Sequence, residues 1–248
     1  MSQPEPATQF GNCMTKQTRP VSKYFGPPST LVADGVVTVF VIVLLGVISW
    51  AGAGMLQAFN PPAIEPSISL DPHNLPYYAA RSTLRMFIAL GASLLFTLIY
   101  GSVAAKFKFA GMVLIPLLDV LQSVPVLGFL SISVSGFIAL FPGSLLGLEC
   151  ASIFAIFTGQ VWNMTFSFYY SLKALPKELE QTAALFRLTK LEKFFKVELP
   201  SGAIGLVWNG MASFGGGWFF VAASEAISVL NRNYMLPGIG SYVTMALS

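Results

Sequence analysis

Residues 173–198 form a charged segment that lies between two long apolar stretches of the chain. Charged side chains are costly inside a lipid bilayer and are poorly suited to a membrane span. The segment therefore predicts a polar loop between two spans, exposed to a partner in the aqueous phase. Six of the 14 lysine and arginine residues of the chain lie here: Lys173, Lys177, Arg187, Lys190, Lys193 and Lys196.

The composition of the chain indicates a membrane protein. Hydrophobic residues make up 54% of the 248 residues and charged residues only 10%, whereas a soluble domain has about 25% charged residues. Cys13, Cys150 and the single histidine, His73, form neither a disulfide framework nor a set of metal ligands, so we expect no metal site. We also expect no nucleic-acid partner, because no basic stripe alternates with exposed aromatic residues.

The apolar stretches predict about five transmembrane helices, since about 20 apolar residues cross the hydrocarbon core. The third stretch is longer than one crossing requires, and Pro125 predicts a kink within it. The first stretch follows a polar, proline-rich tail and is too long for the apolar core of a signal peptide. The predicted spans are residues 31–56, 83–105, 109–141, 148–171 and 202–230.

The distribution of basic residues predicts a cytosolic N terminus, because basic residues concentrate in cytosolic loops. In that orientation 11 lysine and arginine residues lie inside and three lie outside, namely Arg81, Arg85 and Arg232. No basic residue is then expected deep within a span. The predicted regions are a disordered cytosolic tail at 1–30, a first span with an external loop at 31–80, and the main transmembrane domain at 81–248.

Apolar residues of the charged segment fall on one helical face, which by itself is equally typical of a helix lying on the inner membrane surface. The segment also resembles the cytoplasmic loop of permease subunits of binding-protein-dependent ABC importers. That loop reads Glu-Ala-Ala, three residues, Gly, nine residues, an aliphatic residue, any residue, and Leu-Pro. Here the fixed positions hold Gln181-Thr182-Ala183, Arg187, Val197 and Leu199-Pro200, with departures at Gln181, Thr182 and Arg187.

Three further stretches are similar to permeases of the nitrate, sulfonate and taurine group. They are Ser82-Thr-Leu-Arg85, Pro116 to Pro125, and Leu236-Pro-Gly-Ile-Gly240, so that the resemblance covers residues 80–248. Members of this family continue into one further span. The resemblance therefore implies an all-α permease fold without its final helix, either truncated or the first half of a tandem permease.

In this family the loop contains a short coupling helix that docks in a groove of a separate ATPase subunit. The glycine of the motif allows a tight turn between two helices. We expect Arg187 to make that turn in ordinary helical geometry, or the two helices to meet at a different angle. The resemblance places the following residues at the ATPase contact: Lys177, Glu178, Glu180, Gln181, Thr182, Ala183 and Arg187.

Polar residues within the predicted spans are candidates for the transport path, because such groups are costly in lipid and often functional. Asp119 is alternatively a buried acid paired with a neighbouring helix, and Glu225 is alternatively a structural pairing partner or an interface residue. Glu149 lies near a span end, within reach of water, and receives no role. The candidates are Asp119, Gln122, Ser123, Trp162, Asn163, Asn209 and Glu225.

The sequence thus predicts a permease subunit of an ABC importer in a bacterial-type inner membrane, with a small anion such as nitrate, a sulfonate or taurine as substrate. The chain has no P-loop, so we expect no cofactor in this chain, with ATP bound by a partner ATPase. The other expected partners are a periplasmic or extracellular substrate-binding protein, a second permease half and the lipid bilayer. The alternative is a passive channel or membrane scaffold. A membrane enzyme is not favoured, because this chain lacks the grouping of residues that catalysis would need.

Overall fold

The computed structural model describes residues 28–53, 55, 68–142, 144–229 and 232–247. Most of these residues are helical. The predicted tail, residues 1–30, lies outside the described residues except for its last three. The helices, in chain order, are α1 (Pro28–Ala53), α2 (Leu75–Lys106), α3 (Lys108–Ser123), α4 (Val126–Leu140), α5 (Leu146–Lys173), α6 (Lys177–Leu185), α7 (Lys190–Lys193), α8 (Leu199–Glu225) and α9 (Ile239–Leu247).

Two short non-α elements lie beside α8. A π-helical turn, Phe194–Glu198, joins α7 to α8. After α8, the strands β1 (Ala226–Val229) and β2 (Arg232–Met235) form an antiparallel pair in which Ala226 faces Met235. The helical architecture is therefore confirmed, and this hairpin is an addition to the all-α prediction. The predicted fifth span is too long at its end, because α8 stops at Glu225 and the chain becomes extended.

The third predicted span is two helices rather than one kinked helix. Val124 and Pro125 both have extended backbone, with ψ of 123° and 115°. Proline disfavours helical backbone at the residue before it, so α3 ends at Ser123 and α4 begins at Val126. At about 1.5 Å per residue, neither the 16 residues of α3 nor the 15 of α4 span the hydrocarbon alone.

The core of the described structure is a bundle of α2, α5 and α8, with α3 packed on α2 and α4 packed on α5. Met86 of α2, Ile156 of α5 and Val221 of α8 meet in one buried cluster. Small residues let the helices approach closely; a Cβ at Gly202 of α8 would lie only 2.6 Å from the ring of Phe168 in α5.

Two stretches of the described chain are long and apolar enough to cross a membrane, Gly35–Ala53 and Pro72–Lys106. Large apolar side chains are also exposed on the outer faces of other helices, as with Phe109 of α3, Ile132 of α4 and Ile204 of α8. Such extensive apolar exposure is untypical of a soluble surface. It fits helices that are surrounded by lipid or by other helices.

Candidate coupling site and buried ion cluster

The charged segment folds as two short helices and the π-helical turn that leads into α8. Glu178 and Glu180 lie in the first turn of α6, where acidic side chains interact favourably with the helix dipole. Ala183 is the buried residue of α6. The other residues predicted to contact an ATPase are exposed, namely Lys177, Glu178, Glu180, Gln181, Thr182 and Arg187.

Arg187 ends α6 with a left-handed backbone conformation. Its φ is +48°, the only positive φ of a non-glycine residue in the described ranges. The amide of Arg187 donates to the Ala184 carbonyl at 3.0 Å, and the amide of Leu188 donates to the Ala183 carbonyl at 3.1 Å. These two bonds define a Schellman C-cap, which normally carries glycine. The expectation of ordinary helical geometry at Arg187 is therefore wrong, because the arginine keeps the turn of the motif's glycine.

A capping box begins α7 directly after this turn. The Thr189 hydroxyl accepts from the Glu192 amide at 3.3 Å, and the Glu192 carboxylate accepts from the Thr189 amide at 2.9 Å. The backbone hydrogen bond from Thr189, followed by that from its hydroxyl and by the Lys196 ammonium, lowers the pKa of Glu192. The cap fixes where α7 starts, so both ends of the turn between α6 and α7 have defined geometry.

Apolar side chains of the charged segment are left uncovered. Leu185 is 83% exposed, Phe186 75% and Leu191 71%. Leu179 and Phe195 are exposed as well, so only part of the predicted helical face packs against the protein. Adjacent exposed apolar residues on a charged surface are typical of a docking site.

Ion pairs connect the charged segment internally and to the end of α2. The Lys193 ammonium lies 3.2 Å from the Glu180 carboxylate, which links α7 to α6. The Lys106 ammonium lies 2.7 Å from the Glu198 carboxylate, which links the end of α2 to the residue before α8. A cavity of about 460 Å³ lies among these side chains.

Two arginines of α2, one glutamate of α5 and one glutamate of α8 form a buried ion cluster: Arg81, Arg85, Glu149 and Glu225. The Arg85 guanidinium contacts Glu149 Oε2 at 2.5 Å and Glu225 Oε1 at 2.6 Å. Arg81 pairs with Glu149 and also donates to the Tyr77 hydroxyl at 3.1 Å. Two positive and two negative charges balance, as buried charges require.

The buried ion cluster also forms hydrogen bonds with the backbone that follows the β1–β2 hairpin. Glu225 Oε2 accepts from the Gly240 amide at 2.7 Å, and Arg85 donates to the Pro237 carbonyl at 3.1 Å. A Cβ at Gly238 would lie 2.2 Å from Glu225 Cδ. The Pro-Gly-Ile-Gly sequence therefore lets the backbone approach the Glu225 carboxylate closely.

The buried ion cluster bears on three expectations. Arg81 and Arg85 are buried in α2, so the prediction that they belong to a loop is wrong. Glu149 is 1% exposed and does not reach water. Glu225 pairs with Arg85, in agreement with its structural alternative. These arginines donate mainly to protein carboxylates and are not available to bind a substrate directly.

The other candidate path residues are not brought together in the described structure. Asp119 is exposed, and its carboxylate accepts from the side-chain amide of Gln122 at 2.7 Å. The Ser123 hydroxyl donates to the backbone carbonyl of Asp119 at 2.9 Å. These three residues form a local polar group at the end of α3. On other helices, Trp162 is half-buried, Asn163 is exposed, and Asn209 donates to the carbonyl of Gly205 in its own helix.

Sequence reasoning assigned no role to Arg81, Arg85 or Glu149. A usable signal was present, since Arg81 and Arg85 have the i, i+4 spacing that places both on one face of a helix. Two arginines on one face of an apolar helix require acidic partners. Glu149, Glu225 and Asp119 are acids of the other apolar stretches, so the sequence offered these three as partners without selecting among them.

Residues 93–246 match the family described as "Binding-protein-dependent transport system inner membrane component". The match covers more than half of the chain, and the chain belongs to this family. It is therefore an inner membrane component of a transport system, and the resemblance recognised in the charged segment is confirmed.

Two relatives refine the comparison. The chain is 27% identical over 114 residues to "Nitrate import permease protein NrtB" of Leptolyngbya laminosa, covering 46% of this chain and 38% of the relative. It is 22% identical over 147 residues to the protein of the same name from Synechocystis sp., covering 59% of this chain and 50% of the relative. The chain thus spans half or less of the length of these curated relatives.

Proposed function

We propose that this chain is the membrane-spanning subunit of an ABC importer and is driven by a separate ATPase through its charged segment. Family membership and the exposed apolar residues of that segment support the proposal. The observation that carries it is the defined helix–turn–helix of residues 177–193, which presents Leu185 and Phe186 to solvent. The family membership favours this function over a passive channel or scaffold.

In the proposed topology α1, α2, α5 and α8 each cross the membrane, and α3 with α4 make the remaining crossing. The 26 to 32 residues of the four long helices extend about 40 Å or more, enough to cross about 30 Å of hydrocarbon. The charged segment then lies in the cytosol together with the N terminus. Burial of Arg81 and Arg85 in ion pairs strengthens the positive-inside argument, because they no longer count as outer-loop residues.

The proposed cargo is a small anion, with nitrate first because both relatives are named nitrate import permeases. Asp119, Gln122 and Ser123 are the proposed polar contribution of α3 to the path, joined by Trp162, Asn163 and Asn209. Arg81 and Arg85 are both paired with glutamates, so helix ends and backbone amides would hold the anion. An external substrate-binding protein and a second permease half complete the proposed importer.

Co-purification with the partner ATPase tests the coupling role. Replacing residues 177–187 by a neutral linker of equal length should abolish binding of the ATPase while the protein still inserts in the membrane. Arg187→Gly is the matched control, since it restores the residue that the motif carries at this turn and should keep the ATPase bound. Full ATPase binding by the linker variant would show that the coupling assignment is wrong.

Sidedness and substrate have separate tests. A Lys190→Cys variant, in which Cys13 and Cys150 are replaced by serine, should react with a membrane-impermeant thiol reagent only after the cells are opened. Labelling in intact cells would contradict the topology and with it the importer function.

Competition of nitrate, taurine and a short alkyl sulfonate for uptake by the reconstituted complex should show nitrate as the strongest competitor.

A further inference from the structure

We propose that Lys106 and Glu198 are positioning residues that make α2 follow the movement of the charged segment during transport. This inference rests on the proposed importer function and adds to it a specific mechanical connection. The polypeptide continues from the charged segment directly into α8, whereas α2 is distant in sequence. The Lys106–Glu198 ion pair adds a direct polar contact between the end of α2 and the residue before α8.

The geometry places this pair at a junction of three elements. Glu198 is the last residue of the π-helical turn and directly precedes α8, and its side chain is 6% exposed. Lys106 is the last residue of α2, and its ammonium lies 5.6 Å from the ring centroid of Phe194 in the same turn. A buried carboxylate with a cationic partner resists separation, because it would lose its compensating charge.

A second ion pair extends the connection to the coupling helix. Glu180 of α6 pairs with Lys193 at the end of α7 at 3.2 Å. The Schellman turn at Arg187 and the capping box at Thr189 fix the backbone between the two helices. A displacement of α6 is therefore passed to α7, to the π-helical turn, and through Glu198 to α2.

The outer end of α8 is linked to α2 in a similar way. Glu225, the last residue of α8, pairs with Arg85 of α2 at 2.6 Å. The two acidic residues that bracket α8 thus both pair with basic residues of α2. The 27 residues of α8 place these two links about 40 Å apart along the helix.

Between the two links, α2 and α8 leave part of their interface open. A groove of about 480 Å³ lies among α2, α5 and α8, lined by Phe87 and Leu94 of α2, Met164 of α5 and Met211 of α8. Gly210 and Gly215 line this groove, and a Cβ added at either would meet nothing within 4 Å. Movement that enters at the inner link can therefore change the middle of the α2–α8 interface, because the outer end is fixed.

The test uses the complete importer, comprising this chain, its ATPase, its second permease half and its binding protein, reconstituted in liposomes. The readout is the number of nitrate ions taken up per ATP hydrolysed. Lys106→Glu and Glu198→Lys should each lower this ratio at least about fivefold, the lower end of typical coupling effects. The double charge reversal should restore the ratio to near the wild-type value, because it rebuilds the ion pair with opposite polarity.

Lys196→Glu is the matched control, since it makes the same charge reversal in the same turn at an exposed position paired with Glu192. It should leave the uptake ratio unchanged. If a single reversal does not fold, Lys106→Arg and Lys106→Gln replace it, and the arginine should keep the ratio while the glutamine lowers it.

Two results would overturn the inference: single variants that keep the wild-type ratio, or a loss of ratio that neither the double reversal nor Lys106→Arg prevents. Failure of the proposed importer function would give a different experimental result from failure of this inference. In that case the wild-type complex itself would show neither ATP hydrolysis nor uptake of nitrate.

Discussion

The buried ion cluster and the charged segment hold charge in opposite ways. In the cluster, Arg85 contacts both Glu149 and Glu225 and is fully buried. In the charged segment, Lys193 and Lys196 each pair with a single carboxylate at more than 3 Å, and all four side chains are partly exposed. The buried ion cluster pairs its charges within the chain, whereas the charged segment leaves hydrogen-bond donors and acceptors exposed to solvent.

The difference extends to apolar side chains. Beside the cluster, Leu236 and Val221 are buried. On the charged segment, Leu185 and Phe186 remain uncovered. The buried ion cluster is covered within the isolated chain, whereas the charged segment leaves both charged and apolar side chains uncovered. The expected effects of substitution on stability therefore decrease from the cluster to the segment.

Arg85→Met should give the largest loss of stability, about 3–5 kcal/mol, because it leaves two buried carboxylates without their shared partner. Thermal unfolding of the detergent-solubilised protein and the yield of folded protein measure this loss. Lys196→Met removes an exposed cation and should leave both unchanged. Equal melting temperatures for Arg85→Met and the wild type would show that the cluster does not stabilise the bundle.

Gly240→Ala should cost about 1–3 kcal/mol, the usual range for overpacking. The new Cβ would lie 2.6 Å from Ala222 Cα and 3.0 Å from Glu225 Oε2, so the turn must move away from the cluster. Gly216→Ala is the control, because its Cβ would meet nothing within 4 Å and alanine favours a helix. If both variants melt at the same temperature, close approach at Gly240 is not required.

Arg187→Gly should stabilise the turn after α6 by about 1 kcal/mol, since a left-handed conformation costs an L-residue about that much. Hydrogen exchange of the Leu188 amide, which donates to the Ala183 carbonyl, should slow about fivefold. Leu188→Gly adds backbone freedom without relieving a positive φ and should speed exchange instead. Faster exchange in Arg187→Gly would contradict the Schellman geometry.

Leu185→Ser should have the smallest effect on stability, within about 0.5 kcal/mol, because the side chain is exposed. Its effect should instead appear in association with the ATPase, which we expect to weaken about tenfold as the centre of the docking surface becomes polar. Leu247→Ser on α9 is an equally exposed control, at 83% for both leucines. Equal ATPase affinity for both variants would show that Leu185 is not part of the contact.

The helical class and the position of the charged segment were predictable, because both follow from local patterns of apolar and charged residues. The break between α3 and α4 was only partly predictable. Pro125 marked the position, but a kink and a complete break have the same local signal. The left-handed Arg187 was not predictable, because arginine prefers ordinary backbone and only the surrounding hydrogen bonds keep the turn.

The sequence by itself determined the family, the membrane environment and the position of the charged segment. These properties depend on residue types at short spacing, which any fold of the chain must accommodate. Only the tertiary structure decided that Arg85 joins Glu149 and Glu225, and that Lys106 reaches Glu198. Residues 64, 140 and 92 positions apart become neighbours through the packing of α2, α5 and α8, which no local pattern specifies.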